Sequence, residues 1–122
     1  MNVLLIDDSV AILNRIQFLL QDVPCIEQIH TALNAFEGWE IITNKSPEIV
    51  LLDIQMPEKN GLELLKEIKQ HYTAINVVMI TNESTDYYKP ICVKYGADFF
   101  LDKSNEFEYI PTIIEKIAKG TA

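Results

Sequence analysis

Carboxylate, hydroxyl and ammonium groups stand at the ends of short apolar runs in this sequence. Asp7 and Asp8 follow the first of four apolar runs, and Asp53 follows the second. Thr81 follows the third run, and Lys103 stands two residues after the fourth. Oxygen ligands of this kind favour Mg²⁺ or a similar hard cation, and a lysine ammonium suits a phosphate oxygen. With a carboxylate as nucleophile, these groups predict phosphoryl transfer to an aspartate.

The apolar runs that carry these groups are typical of strands covered on both faces. They are rich in β-branched or aromatic residues and do not alternate with polar ones. They occupy residues 3–6, 49–52, 77–80 and 99–101. A weaker strand is predicted at residues 26–30, where polar residues split the run, and we expect it at an edge of the sheet.

Helical patterns lie between the strands, with apolar side chains at helical spacing. They cover residues 12–20, 35–42, 61–71 and 110–117. Proline is tolerated in the first turn of a helix but not in its interior. We therefore expect the fourth helix, between the last two strands, to be short or broken near Pro90. The fifth helix should start regularly only around Pro111, after a looser turn.

This alternation predicts a (βα)5 fold. It implies one parallel five-stranded sheet with right-handed crossovers and helices on both faces, in the doubly wound, flavodoxin-like order 2-1-3-4-5. Open sheets of this type bind ligands at the carboxyl ends of their strands, where the strand order reverses. Asp7, Asp8 and Asp53 should therefore meet in one pocket, flanked by Thr81 and Lys103.

Three carboxylates in one pocket repel one another. At 4 Å and an effective dielectric constant near 20, each like-charged pair costs about 4 kcal/mol. A bound cation relieves this repulsion, and without one the crowding should raise the pKa of one carboxyl group.

Composition indicates one soluble domain over residues 1–122, with 48% apolar and 23% charged residues. The net charge of −8 disfavours direct contact with nucleic acid or anionic lipid. No apolar run approaches the roughly 20 residues of a membrane span, and the start lacks secretory features, so we expect a cytoplasmic protein. Cys25 and Cys92 are expected as reduced thiols rather than as a disulfide or zinc site.

Five short motifs occur in a fixed order along the chain. They are Asp7-Asp8, the run Leu52-Asp53-Ile54-Gln55-Met56-Pro57, Asn60-Gly61-Leu62, Ile80-Thr81, and residues 96–103, which read Gly-Ala-Asp-Phe-Phe-Leu-Asp-Lys. In this order and spacing, and over the whole chain, they resemble the receiver domain of response regulators.

The resemblance implies a role for each acid of the predicted pocket. Asp53 would be the phosphoacceptor. Asp8 would ligate Mg²⁺ or Mn²⁺ directly, Asp7 would act largely through water, and the backbone carbonyl of Gln55 would complete the metal site. A silent receiver without phosphoacceptor chemistry is disfavoured, because every group of the acceptor site is present.

The resemblance also implies a switch. Thr81 and Lys103 would contact the phosphoryl group, and Phe100 would be the switch aromatic that follows the movement of Thr81. The surface affected would be the face formed by the fourth helix, the fifth strand and the fifth helix.

Some positions depart from the family pattern. Asn82 stands where the family often has Ala or Gly, and Ser104 stands where proline is common, which puts a cis peptide bond there in doubt. The resemblance also implies that Gln55, Asn82 and Glu83 tune the loss of phosphate from Asp53, because it places them beside the approach of water.

The implied partners are a sensor histidine kinase or a histidine phosphotransfer protein as donor, and a downstream protein as target. Such a protein catalyses only its own phosphorylation and dephosphorylation. The chain ends just after the fifth helix, so we expect no effector domain. A phosphorelay intermediate and a receiver fragment of a longer transcription regulator are the alternatives. A phosphohydrolase is disfavoured, because its common form needs a second Asp where Gln55 stands.

Overall fold

The predicted strands form one parallel sheet. In this computed structural model, which describes residues 1–82 and 85–120, the strands are β1 (Asn2–Ile6), β2 (Gln28–Ala32), β3 (Ile49–Asp53), β4 (Asn76–Thr81) and β5 (Phe99–Asp102). Their order is β2-β1-β3-β4-β5, and all neighbours are parallel. This confirms the predicted doubly wound, flavodoxin-like fold, with the reversal of strand order between β1 and β3.

The edge strand β2 begins two residues later than predicted. The sequence placed it at residues 26–30, whereas the ladder runs from Gln28 to Ala32. The reason is a turn before the strand, in which the Ile26 N–H donates to the Val23 carbonyl at 3.2 Å. The N-terminal ammonium of Met1 also donates to the Cys25 carbonyl at 2.6 Å, which holds this turn against the start of β1.

Five α-helices connect the strands and follow the last one. They are α1 (Val10–Leu20), α2 (Ala35–Lys45), α3 (Gly61–His71), α4 (Thr85–Lys94) and α5 (Ile110–Ala118). Side-chain oxygens of Ser9, Asn34 and Asn60 cap the first three by accepting N–H groups of the first turn. No helix within the described residues is long and apolar enough to cross a membrane.

The sheet is covered by helices on both faces, as its apolar runs indicated. On one face, α1 and α5 pack against a cluster that includes Val3 and Leu5. On the other face, α2, α3 and α4 pack against a cluster that includes Leu4 and Ile6. All four of these β1 side chains are at most 1% exposed. Successive side chains of one strand therefore anchor opposite layers and fix the strand ends relative to the helices.

The prediction of a short or broken fourth helix was wrong. Helix α4 continues from Thr85 to Lys94 with Pro90 inside it. Proline removes one helical hydrogen bond, the one that would reach the carbonyl four residues earlier, at Asp86. Asp86 and Pro90 are both exposed, so water can bond to that carbonyl. The prediction for the last helix is confirmed, because a 3₁₀ turn over Phe107–Tyr109 precedes α5 and Pro111 lies in its first turn.

Candidate metal and phosphate site

The three acids of the predicted pocket converge at the carboxyl ends of adjacent strands. β1 and β3 lie in register with Ile6 opposite Leu52, so Asp7 and Asp53 leave the sheet side by side. Asp7, Asp8 and Asp53 each offer a carboxylate oxygen, and these oxygens all lie within 4.8 Å of one another. Asp7 and Asp53 are only 3% and 5% exposed, whereas Asp8 is exposed to solvent.

Lys103 enters the pocket from the end of β5. Its backbone N–H donates to the Thr81 carbonyl at 2.9 Å, which holds the residue beside the end of β4. Its side chain is 8% exposed, and the ammonium lies 2.7 Å from Asp7 Oδ2 and 3.3 Å from Asp53 Oδ1. One buried ammonium therefore faces two buried carboxylates, and Asp8 adds a third carboxylate close by.

Asp53 is the pocket carboxyl group whose pKa is raised. Burial is the main cause and the charge of Asp7 adds to it, so the pKa of Asp53 rises to about 6. The ammonium of Lys103 and the Gln55 backbone N–H act in the opposite direction without cancelling the rise. For Lys103, burial lowers the pKa, but its contacts with Asp7 and Asp53 outweigh that effect and raise the pKa overall. Lys103 therefore stays charged at neutral pH.

These groups line an open pocket at the edge of the sheet. Its volume is about 300 Å³. The lining residues are Asp7, Asp8, Ser9, Ile12, Asp53, Gln55, Asn82 and Lys103. Since a water molecule occupies about 30 Å³ of liquid, the pocket has room for a hydrated cation together with a phosphoryl group. Three converging carboxylates fit a hard divalent cation, whose charge would relieve their repulsion.

The other predicted site residues differ in their positions relative to the pocket. Thr81 ends β4, one residue after the sheet partner of Asp53, and it is fully buried and not among the residues that line the pocket. Asn82 is exposed and lines the pocket. Glu83 lies outside the residues that the structure describes. Phe100 is half-buried and packs against the cluster on the α2–α4 side of the sheet.

Gly61, the first residue of α3, lies against the backbone of Asp53. In the structure its N–H donates to the Ile54 carbonyl at 2.9 Å, and a side-chain Cβ at this position would collide with the Asp53 carbonyl. Glycine therefore lets the start of α3 approach the backbone of Asp53, and this contact fixes the loop that follows the proposed acceptor.

Sequence reasoning missed one contact of the pocket. The side-chain amide of Gln55 donates to the Tyr88 hydroxyl at 3.0 Å, which connects the loop after β3 to α4. No local signal in the sequence links residues that are 33 positions apart.

Known proteins resemble this chain over most of its length. The chain matches the response regulator receiver domain family over residues 3–115. It is 29% identical to the nitrate/nitrite response regulator protein NarL of Escherichia coli K12, covering 97% of this chain and 55% of that protein. It is 36% identical to a protein-glutamate methylesterase/protein-glutamine glutaminase of Geobacillus kaustophilus, covering 83% of this chain and 29% of that protein.

A solved structure also resembles this chain over almost its whole length. A CheY-like response regulator receiver domain protein from Methanospirillum hungatei has a TM-score of 0.84 and 26% identity, covering 97% of this chain and 94% of that one. The chain spans only about half or less of the curated relatives, so their names do not settle the output of this protein. The family match covers nearly the whole chain, and the protein therefore belongs to the receiver domains of two-component response regulators.

Proposed function

We propose that this protein is a signalling switch in which Asp53 accepts a phosphoryl group from a phosphohistidine. The observation that supports this most directly is the surroundings of Asp53. Its carboxylate is buried at the edge of an open pocket, 3.3 Å from the Lys103 ammonium and within 4.8 Å of two further carboxylates. The donor would be a sensor histidine kinase or a histidine phosphotransfer protein.

The transfer is a simple displacement at phosphorus. An Asp53 carboxylate oxygen forms a bond to phosphorus, the bond from phosphorus to the histidine nitrogen breaks, and the nitrogen keeps the electron pair. Lys103 lies where it can leave Asp53 and bond to a phosphoryl oxygen, which keeps one positive charge beside the new anion. Because the ammonium is already desolvated, little reorganisation is needed at that moment.

Four groups would hold the divalent cation that this chemistry uses. They are the carboxylates of Asp8, Asp7 and Asp53 and the backbone carbonyl of Gln55. The cation, Mg²⁺ or Mn²⁺, would supply charge neutralisation for the incoming phosphoryl oxygens. Asp7 already accepts the Ser9 N–H at 2.9 Å and the Lys103 ammonium at 2.7 Å. This leaves the exposed Asp8 as the better direct ligand and supports a role through water for Asp7.

The proposed output is a change at one face of the protein. Phosphorylation adds roughly −1.5 to −2 charges and strong acceptor oxygens, which would draw the Thr81 hydroxyl toward Asp53. Phe100, half-buried beside α4, would then turn further inward. The face formed by α4, β5 and α5 carries Tyr87 of α4, which is 64% exposed. An exposed aromatic side chain suits a downstream protein target better than nucleic acid, which the net charge of −8 disfavours.

Two further assignments belong to the same proposal. Asn82 stands exposed on the pocket wall, where it would narrow the approach of water to phosphorylated Asp53.

The cytoplasm suits the protein, because both cysteines, Cys25 and Cys92, are free thiols in the structure.

Incubation with acetyl phosphate and Mg²⁺, followed by intact mass measurement, tests the function. The wild-type protein should gain one phosphoryl group, and Asp53→Asn should gain none. Asp22→Asn, which changes an exposed acid outside the pocket, is the matched control and should behave like the wild type. A gain that persists in Asp53→Asn would move the acceptor to another residue, and a wild-type protein that never gains mass would end the proposal.

A further inference from the structure

The hydrogen bond between Gln55 and Tyr88 connects the pocket to α4. Gln55 lies two residues after Asp53 and lines the pocket. Its Nε2 donates to the Tyr88 hydroxyl at 3.0 Å, although the two residues are 33 positions apart in the chain. The side-chain amide of a pocket-lining residue is therefore held by a residue of another element.

Tyr88 is itself held by the packing of α4. It is half-buried and packs against the same cluster as Met56 and Phe100. Its ring meets that of Tyr87 edge-to-face, with centroids 4.9 Å apart and an interplanar angle of 86°. The position of the hydroxyl thus follows the position of α4, and so does the position of the Gln55 amide.

We propose that Tyr88 is a positioning residue that holds the Gln55 amide at the wall of the pocket and thereby prolongs the lifetime of phosphorylated Asp53. This inference rests on the proposed function. In hydrolysis, a water oxygen bonds to phosphorus, the bond from Asp53 to phosphorus breaks, and Asp53 keeps the electron pair. The water protons pass to the released phosphate and to solvent. A released Gln55 can turn its amide oxygen toward that water and orient it.

Because of the hydrogen bond between Gln55 and Tyr88, the lifetime of phosphorylated Asp53 would also depend on the position of α4. Any movement of α4 that carries the Tyr88 hydroxyl out of reach frees Gln55 and speeds hydrolysis. A protein that docks on α4 and displaces Tyr88 would thus shorten its own signal.

Tyr88→Phe removes the hydroxyl and keeps the ring. We expect the phosphoprotein of this variant, freed from acetyl phosphate, to decay about 2- to 10-fold faster than the wild type, the range that one net hydrogen bond allows. Tyr87→Phe is the matched control, since it removes the neighbouring hydroxyl of α4, and it should decay at the wild-type rate. An unchanged or slower decay in Tyr88→Phe would overturn the proposal.

A double-mutant cycle separates positioning from general loosening of α4. In Gln55→Ala, which has no amide to release, adding Tyr88→Phe should change the decay rate by less than about 1.5-fold. Faster decay of equal size in both backgrounds would show that Tyr88 acts without Gln55 and would overturn the proposal. Tyr88→Met, with an apolar side chain of similar length, repeats the cycle if Tyr88→Phe fails to fold.

A measurement without phosphate keeps this inference distinct from the proposed function. The side-chain amide signals of Gln55 in a ¹H–¹⁵N spectrum of the unphosphorylated protein should move in Tyr88→Phe and stay in place in Tyr87→Phe. Signals that stay in place in both variants would refute the positioning role even if Asp53 accepts phosphate. A wild-type protein that gains no phosphoryl group would refute the proposed function instead, whatever these signals show.

Discussion

The Lys103 ammonium donates to Asp7 at 2.7 Å, across 96 positions of the chain. The same Asp7 accepts the Ser9 N–H with its other carboxylate oxygen. Both oxygens of this buried acid are thus engaged, while Asp8, its neighbour in the chain, is exposed at the pocket. The two adjacent acids therefore differ in what they can give to a cation.

This difference predicts unequal effects on Mg²⁺ affinity. Asp7→Ala should weaken binding about tenfold, as is usual for a group that acts on a metal through another group. Asp8→Ala should weaken binding more, because Asp8 is the proposed direct ligand. Calorimetric titration of Mg²⁺ measures both variants, with Asp22→Ala as a control of equal charge change. Wild-type affinity in Asp8→Ala, or a larger loss in Asp7→Ala, would contradict the assignment.

The raised pKa of Asp53 predicts a pH-dependent cost to stability without metal. The pKa rises from 3.8 to about 6 on folding. The protonated carboxyl group therefore stabilises the folded state at low pH, and this contribution is lost as the pH rises from about 4 through 6. The full loss corresponds to about 3 kcal/mol.

Urea unfolding between pH 4 and pH 8, without divalent cations, measures this cost. Asp53→Asn cannot ionise at this position, so its advantage over the wild type should grow from pH 4 to about pH 7 and then level off. Saturating Mg²⁺ should remove most of the advantage. A difference between the two proteins that stays constant across this pH range would show that Asp53 has an ordinary pKa.

The contact of Gly61 with the Asp53 backbone predicts a specific sensitivity of α3. Gly61→Ala should destabilise the protein by about 1–3 kcal/mol, the usual cost of forcing extra atoms into a packed site. Gly38→Ala is the matched control in α2. Its added Cβ would meet the end of the flexible Ile6 side chain, which can move aside, and alanine favours a helix. Urea unfolding should show the larger loss in Gly61→Ala, and the reverse order would contradict this role.

The position of Phe100 predicts how a signal reaches the surface. Addition of beryllofluoride, a mimic of the phosphoryl group, should shift backbone amide signals in α4, β5 and α5. Phe100→Ala should weaken these shifts and leave phosphorylation of Asp53 intact. Phe99→Ala is a suitable control, because Phe99 packs on the opposite face of the sheet. Shifts confined to the loops around Asp53 in the wild type would contradict the coupling.

Much of the fold could be predicted from the sequence because its signals are local. The apolar runs fix the strands, since a strand covered on both faces has no polar alternation. Placing Asp7, Asp8 and Asp53 together then required only the strand order and the rule that parallel strands end at one edge. The same argument, applied to the last strand, places Lys103 in this pocket.

Other features depend on contacts that no local pattern reports. Helix α4 tolerates Pro90 because Asp86, whose carbonyl loses its helical partner, is exposed, and no local pattern in this segment reports that exposure. The start of β2 is shifted by a turn pinned to the N-terminal ammonium. The bond from Gln55 to Tyr88 depends on how α4 lies over the sheet, which spacing along the chain does not determine.

Chemical localisation of the phosphoryl group tests the central claim most directly. Borohydride reduces an aspartyl phosphate to homoserine, so the acceptor can be read from peptide masses without any substitution in the protein. After treatment with acetyl phosphate and Mg²⁺, we predict homoserine at position 53 and unmodified aspartate at positions 7 and 8. Homoserine at position 7 or 8, with aspartate retained at position 53, would contradict the account.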